Sequence, residues 1–254
     1  MQVLVTAVPV SRADGDSDTG GTEYRLGAWD ARALEAAVGL RETHGDVTIV
    51  TATVGPPAAD LVVRAALAKG ADRGIRVWDD ALAETALFDP RLKARLLAAV
   101  AADVEPALVL AGVQSGPDGF GATGVALAST LSYGWATVVT DISLDRDAGV
   151  VSVRCDRDGP HVDLVAVDLP AVLTVGSGAS EPRHANLGAV RAAHRAEIAV
   201  CSLDDLGLDP AAIEPSLTRA GTADRDRDVT LFEGPPDEAV ADLASALRAH
   251  GVGP

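Results

Sequence analysis

Short apolar runs alternate with segments of helical periodicity through the first half of the chain. The runs are rich in β-branched residues and apolar at most positions, which is typical of strands buried on both faces of a parallel sheet. We predict four such strands at residues 3–8, 47–54, 75–78 and 107–113. Helix-like segments separate them at residues 31–43, 58–69 and 90–102. This alternation predicts βαβ units on a parallel sheet.

The pattern changes after a further helix that ends near Leu131. Strand-like runs then follow one another closely at residues 137–144, 150–155, 161–167 and 171–175. The segments DRDAG and DRDG between them are typical of tight turns, so we predict an antiparallel addition to the parallel sheet. The predicted fold is therefore α/β, with a doubly wound, mostly parallel sheet that is Rossmann-like and of the adenine-nucleotide-binding type.

The last quarter of the chain differs from the rest. From about Val200 it is polar and acidic, until Pro236 opens a final helix at residues 237–250. A lone amphipathic helix on a polar tether cannot bury its own apolar stripe, so it either folds back on the core or docks on a partner subunit. We predict a nucleotide-binding domain at residues 1–199 and a C-terminal arm at residues 200–254.

Composition narrows the classes of partner. The 254 residues carry 21 Lys and Arg against 37 Asp and Glu, a net charge of −16, which argues against nucleic acid as a partner. No apolar stretch long enough to span a bilayer occurs, so we expect no membrane insertion. The N-terminus lacks the positive region and the cleavage site of a signal peptide, and we predict a cytoplasmic protein.

The acidic surface contains many short carboxylates and few lysines, since Lys69 and Lys93 are the only two. Such a surface stays hydrated in concentrated salt, and we hypothesise a halophilic protein. The alternative is an ordinary acidic protein from a GC-rich genome.

A glycine-rich stretch, AGVQSGPDGFGATG, runs from Ala111 to Gly124 between a predicted strand and a helix. Backbone N–H groups converge at such a junction, which is a common setting for a phosphate. In a doubly wound sheet, this loop and the loop after the first strand flank the ligand crevice, so the two loops would share a nucleotide. A flexible turn without a ligand is the alternative.

The same stretch contains G-x-G-x-x-G at Gly119, Gly121 and Gly124. In the dinucleotide fingerprint these glycines follow the first strand, whereas here they follow a later one, so the motif is a weak signal. The five histidines have no metal-ligand spacing, and Cys155 and Cys201 are isolated. We predict neither a catalytic residue nor a metal site.

Residues 170–193, PAVLTVGSGASEPRHANLGAVRAA, resemble the signature of the β subunit family of electron transfer flavoproteins. In that family a P-A-V-x-T strand leads to N-E-P-R-x-A-x-L and a basic helix. Further matching pieces occur in the same order as in the family: VLVTAVPV, ALEAAVGL, VVRAALAKGADRGIRV and GVQS with ATG. The resemblance covers essentially the whole chain.

The resemblance implies a subunit that is not itself an enzyme. It implies pairing with an α subunit with which FAD is held, and electron transfer from acyl-CoA-type or other flavin dehydrogenases to a downstream quinone oxidoreductase. It also implies AMP, or a second FAD, in the β subunit. By position, the nucleotide pocket would use Thr6, Gly27, Ala28, Trp29, Asp30, Val54, Gly112, Val113, Gln114, Ser115, Gly116, Pro117, Asp118, Gly119, Phe120, Gly121, Ala122 and Thr123. The partner-binding residues would be Glu181, Pro182, Arg183 and Leu187. Leu187 would be an apolar anchor, and the alternative is that it is the first core residue of a helix.

The chain departs from the family pattern after the first strand, where Val8 and Pro9 replace a basic residue. Arg183 and Arg64 are candidates for the positive charge that a phosphate would then need. Two other classes of function stay open at this point. One is a stand-alone adenine-nucleotide-binding module of the stress-protein type, and the other is a nicotinamide-dependent dehydrogenase.

Overall fold

The chain divides into two compact units, residues Met1–Arg219 and Ala220–Pro254. The computed structural model describes residues 1–11, 24–82, 88–116, 119–157, 161–209 and 229–252. The strands of the first unit are β1 (Gln2–Thr6), β2 (Pro9–Ser11), β3 (Tyr24–Leu26), β4 (Thr48–Val54), β5 (Arg73–Val77), β6 (Leu108–Gly112), β7 (Gly134–Asp145), β8 (Val150–Asp156), β9 (Val162–Asp168), β10 (Ala171–Val175) and β11 (Ala199–Cys201). Its helices are α1 (Ala28–His44), α2 (Asp60–Ala68), α3 (Pro90–Val104), α4 (Thr123–Leu131) and α5 (Leu187–Arg195).

Nine strands form the main sheet in the order β11-β5-β4-β1-β6-β10-β7-β8-β9. All pairings from β11 to β7 are parallel, and β7, β8 and β9 pair antiparallel. From β1 the chain moves outward through β4 to β5, then returns to place β6 on the other side of β1. The strand order therefore reverses between β1 and β6, and the predicted doubly wound sheet is confirmed.

Alternation along each parallel strand builds a core on both faces of the sheet. In β1, Val3 and Val5 pack with α1, whereas Leu4 faces α3 and α4, and all three are buried. The antiparallel strands bury one side only: in β8, Val151, Val153 and Cys155 join the first core while the residues between them are exposed. The apolar runs of the first half of the chain predicted the burial of the parallel strands on both faces.

Three short strands were not predicted from the sequence. β2 and β3 pair with each other as a separate antiparallel ribbon, and β11 adds three residues to the edge of the main sheet. The first strand ends at Thr6 rather than at Val8, because the Val8 N–H is bound by a side chain instead of a neighbouring strand.

The second unit contains α6 (Pro236–Ala249), close to the predicted final helix. In the first unit, residues beyond the predicted domain end at 199 include β11 and the fully buried Leu203. The predicted division of the chain at residue 199 stays a prediction. Of the helices in the described part of the chain, none combines the length and apolar character needed to cross a membrane.

Candidate functional site

A cleft opens where the order of the strands reverses, beyond the carboxyl ends of β1 and β6. It consists of two adjoining cavities that share Asp30, Gln114 and Ser115. The inner cavity is small and lies between the ends of β1 and β6 and the start of α4. The outer cavity has a volume of about 260 Å³ and lies between the β2–β3 ribbon, the start of α1 and the glycine-rich loop. Open α/β sheets bind their ligands at this position.

Asp30 joins the two sides of the cleft. It lies in the first turn of α1 and is only 4% exposed. Its Oδ2 accepts a hydrogen bond from the Val8 N–H at 2.9 Å, and its Oδ1 accepts one from the Gly112 N–H at 3.1 Å. One carboxylate thus fixes the backbone after β1 to the backbone at the end of β6. Hydrogen bonds to a charged acceptor are stronger than neutral ones, so this bridge sets the width of the inner cleft.

Gly112 is required for that bridge. A Cβ at this position would lie 2.6 Å from Asp30 Oδ1 and 2.7 Å from Trp29 Cβ, closer than a Cβ comes to non-bonded atoms. The start of α1 therefore packs directly on the backbone of β6, and any side chain at residue 112 would separate the two elements.

The glycine-rich loop folds back on itself. The Gln114 Nε2 donates to the Gly119 carbonyl at 2.7 Å, and the Gly119 N–H donates to the Ser115 carbonyl at 3.0 Å. Gly119 and Gly121 have φ values of 64° and 62°, in the left-handed region that favours glycine. Gly124 has a different role, because a Cβ there would lie 2.4 Å from Thr174 Cγ2 on β10. The G-x-G-x-x-G spacing therefore serves a turn and a helix contact after β6.

The start of α4 faces the inner cavity through Ala122 and Thr123. Ala122 is the N-cap residue, and no side chain in the described part of the chain caps this helix end. The first N–H groups of a helix have no intrahelical partner and carry a partial positive charge, which suits an anionic group. This helix end lines the inner cavity together with the Asp30 carboxylate, so an anion there would meet the start of α4 and would also lie near that carboxylate.

Arg25 lines the cleft but was not among the residues predicted from the sequence. It lies on β3 and lines the outer cavity, where it is the one cation among the described lining residues. The β2–β3 ribbon brings it opposite the glycine-rich loop. Its position two residues before Gly27 was a usable signal, but strands of three residues are too short to be predicted from alternation.

Most of the predicted pocket residues do line the cleft. These are Thr6, Gly27, Ala28, Trp29, Asp30, Gly112, Val113, Gln114, Ser115, Gly116, Gly121, Ala122 and Thr123. Val54 is buried at the end of β4, and neither cavity includes it among its described lining residues. Gly119 and Phe120 belong to the loop outside both cavities, and Pro117 and Asp118 lie outside the described residues.

The predicted partner-binding residues lie together at the start of α5. Asn186 caps this helix, since its Oδ1 accepts a hydrogen bond from the Ala189 N–H at 2.8 Å. Leu187 is the first helical residue and is 66% exposed, so it is not a core residue of the helix. Arg191 and His194 follow at helical spacing and are exposed, so they lie beside Leu187 on the same face of α5.

The two arginines considered as phosphate contacts are used elsewhere. Arg183 Nη2 lies 2.8 Å from Glu35 Oε1, and Nη1 lies 2.9 Å from Glu42 Oε1. Arg64 donates to the carbonyls of Ala193 at 2.7 Å and His194 at 3.0 Å, at the end of α5. Neither is among the described residues that line the cleft.

The Arg183 pair is strongly coupled. Burial alone would raise the pKa of Glu35, but the hydrogen bonds and charge of Arg183, with a smaller contribution from Lys69, lower it below the ordinary value of 4.5. The hydrogen bonds to Glu35 and then Glu42 raise the pKa of Arg183. Both partners are therefore charged across the neutral range.

The described residues contain no group of three or more His, Cys, Asp or Glu side chains placed to hold a metal ion. Burial raises the pKa of the Cys155 and Cys201 thiols, and the carboxylates nearby act in the same direction. Low-pKa thiolates, which are the reactive form, are therefore not expected at these positions.

The doubly wound sheet with a cleft at its switch point defines an open α/β protein of the Rossmann-like class. Residues 18–206 match the model of the electron transfer flavoprotein domain. The chain is 36% identical over 243 residues to the electron transfer flavoprotein subunit beta of Methylophilus methylotrophus, covering 93% of this chain and 91% of that protein. It is 32% identical over 231 residues to the pig subunit beta, covering 91% of this chain and 87% of that protein. The chain belongs to the electron transfer flavoprotein family.

Proposed function

We propose that this protein is the β subunit of a heterodimeric electron transfer flavoprotein. In this proposal an α subunit completes the complex, FAD is held with that subunit, and the chain itself catalyses no reaction. Similarity to subunit beta proteins along nearly the whole chain supports the assignment. The electron donors would be acyl-CoA-type or other flavin dehydrogenases, and the acceptor would be a downstream quinone oxidoreductase.

The cleft between β1 and β6 is proposed to bind AMP. The observation that carries this is the Asp30 bridge, which ties the two loops to each other at a fixed distance while glycines keep the backbone accessible. The N–H groups at the start of α4 and the Arg25 guanidinium would receive the phosphate. The outer cavity beside Trp29 would receive the nucleoside.

Cavity size favours AMP over a second FAD in this cleft. The outer cavity of about 260 Å³ lies just below the range for small-molecule pockets, which is about 300 to 1,000 Å³. A mononucleotide matches that volume better than a dinucleotide does.

Co-expression with the gene for the α subunit tests the proposal. We expect a yellow heterodimer from which denaturation releases both FAD and AMP, identified by mass analysis. A chain that purifies alone with an adenine nucleotide would favour the stand-alone module. Turnover of a nicotinamide cofactor by the isolated chain would favour the dehydrogenase. Either of the last two results would contradict the proposal.

Leu187 is proposed to be the apolar anchor that docks on the dehydrogenase. Burying its exposed side chain in a partner contributes about 2 kcal/mol. Leu187→Ala in the heterodimer should therefore lower kcat/KM for reduction by an acyl-CoA dehydrogenase roughly 30-fold, with flavin content unchanged. Leu164→Ala is the matched control, because Leu164 on β9 is 80% exposed and should be neutral in this assay. Loss of flavin from Leu187→Ala would contradict the docking role.

A further inference from the structure

The loop before Leu187 is attached to α1 by a row of side chains from that helix. We call residues 176–186 the anchor loop. Arg32 Nη1 donates to the Ser180 carbonyl at 2.7 Å, and the Ser180 Oγ donates to the Arg32 carbonyl at 2.8 Å. Arg32, Glu35 and Glu42 are spaced by three and seven residues, so they lie on one face of α1.

Arg183 is the central contact between the anchor loop and α1. Its backbone N–H donates to Glu35 Oε2 at 3.0 Å, and its Nε and Nη2 both donate to the same carboxylate. Its Nη1 reaches Glu42, and Lys69 Nζ donates to its carbonyl. The backbone and the guanidinium of one residue are therefore both held by α1, with α2 contributing through Lys69. A bidentate arrangement fixes orientation as well as distance.

The far end of α5 is fixed independently. Arg64 on α2 donates to the carbonyls of Ala193, His194 and Ala196 at the C-terminal end of α5. The helix axis is thus set by α2, and the entry of the chain into the helix is set by α1. Leu187 lies at that entry, four residues after Arg183.

We propose that Arg183, held by Glu35 and Glu42, is a positioning residue that presents Leu187 in a fixed place for docking. This inference rests on the proposed function, because it assigns a role in dehydrogenase binding. An anchor on a loose loop must be ordered at the moment of binding, and that ordering reduces affinity. The contacts with α1 order the loop before the partner arrives.

The test compares Arg183→Gln with wild type in the heterodimer by two measurements. Hydrogen–deuterium exchange at residues 176–187 should become faster, with other segments unchanged. In steady-state reduction by an acyl-CoA dehydrogenase, KM for the flavoprotein should rise about five- to tenfold with kcat and flavin content unchanged. Arg183→Lys, which keeps the charge without the bidentate geometry, should give intermediate values.

Arg157→Gln is the matched control. Arg157 forms an exposed ion pair with Asp163 at 2.6 Å in the antiparallel strands, and its removal should change neither measurement. The double variant Arg183→Gln with Leu187→Ala should dock no worse than Leu187→Ala alone, because the position of an absent anchor does not matter.

Unchanged exchange in Arg183→Gln would overturn the positioning role, as would loss of flavin or a fall in kcat at constant KM. If Leu187→Ala leaves KM unaffected, or the dehydrogenase does not reduce the wild type, the proposed docking function fails. The exchange measurement still decides, in that case, whether Arg183 orders the anchor loop.

Discussion

The cleft and the anchor loop are both held by a carboxylate of α1, but in opposite ways. Asp30 is buried and accepts hydrogen bonds from two backbone N–H groups, whereas the Glu35 carboxylate is 15% exposed and pairs with the 38% exposed Arg183. The cleft is thus fixed by hydrogen bonds from backbone N–H groups to a buried carboxylate. The loop is fixed by an ion pair that water and salt do reach. One helix therefore holds both the cleft and the anchor loop, and only the loop depends on an ion pair that salt can weaken.

Removing the Asp30 carboxylate should have the largest effect. Asp30→Ala leaves the partly buried N–H groups of Val8 and Gly112 without their acceptor, and should lower the free energy of unfolding by about 3 to 4 kcal/mol. Urea unfolding of the heterodimer measures this. Asp46→Ala is the control, because the Asp46 carboxylate is 88% exposed and its loss should change stability by less than about 0.5 kcal/mol. Equal effects of the two variants on the free energy of unfolding would contradict the stabilising role of the Asp30 bridge.

Filling the gap at Gly112 should have the next largest effect. Gly112→Ala places a methyl group 2.6 Å from Asp30 Oδ1 and should lower stability by about 2 kcal/mol and weaken AMP binding. Gly39→Ala in α1 is a matched control with open space around its Cβ position. It should raise stability by about 0.5 to 1 kcal/mol, because alanine favours a helix over glycine. A Gly112→Ala variant as stable as Gly39→Ala would show that α1 does not pack on β6 as described.

Acid should weaken the Glu35–Arg183 pair, which holds the anchor loop on α1. The pKa of Glu35 is lowered in the folded protein, so its contribution to stability is present above the ordinary value of 4.5 and is lost as pH falls through the folded pKa. The stability difference between wild type and Glu35→Gln should therefore be constant near neutral pH and shrink below about pH 4.5. A difference that grows in acid would contradict the described pair. Urea unfolding of wild type and Glu35→Gln at pH 7 and pH 4 measures this difference in stability.

Salt should give the smallest effect at the loop. At 1 M salt the Debye length is about 3 Å, so the exposed Arg183 pair is weakened while the buried Asp30 bridge is not. Hydrogen–deuterium exchange at residues 176–187 should become modestly faster, with no change near Gly112.

Salt should also raise the melting temperature if the protein is halophilic as hypothesised. The net charge of −16 causes self-repulsion, which molar salt should relieve. A melting temperature no higher than in dilute buffer would oppose that hypothesis.

The sequence predicted the parallel sheet because period and composition are local properties. It also placed the glycine-rich loop between β6 and α4. It could not predict that Asp30 bonds Gly112, 82 residues later, because that contact depends on the order of strands. The Glu35–Arg183 pair spans 148 residues and carries no local signal. Arg25 was not predicted as a cleft residue because its strand has three residues, too few for alternation to be recognised.

A crystal structure of the heterodimer soaked with AMP tests the central claim most directly. We expect an adenylate in the cleft between Arg25 and the glycine-rich loop, with its phosphate at the N–H groups that begin α4. An AMP molecule bound elsewhere, or a cleft without nucleotide at millimolar AMP, would contradict it.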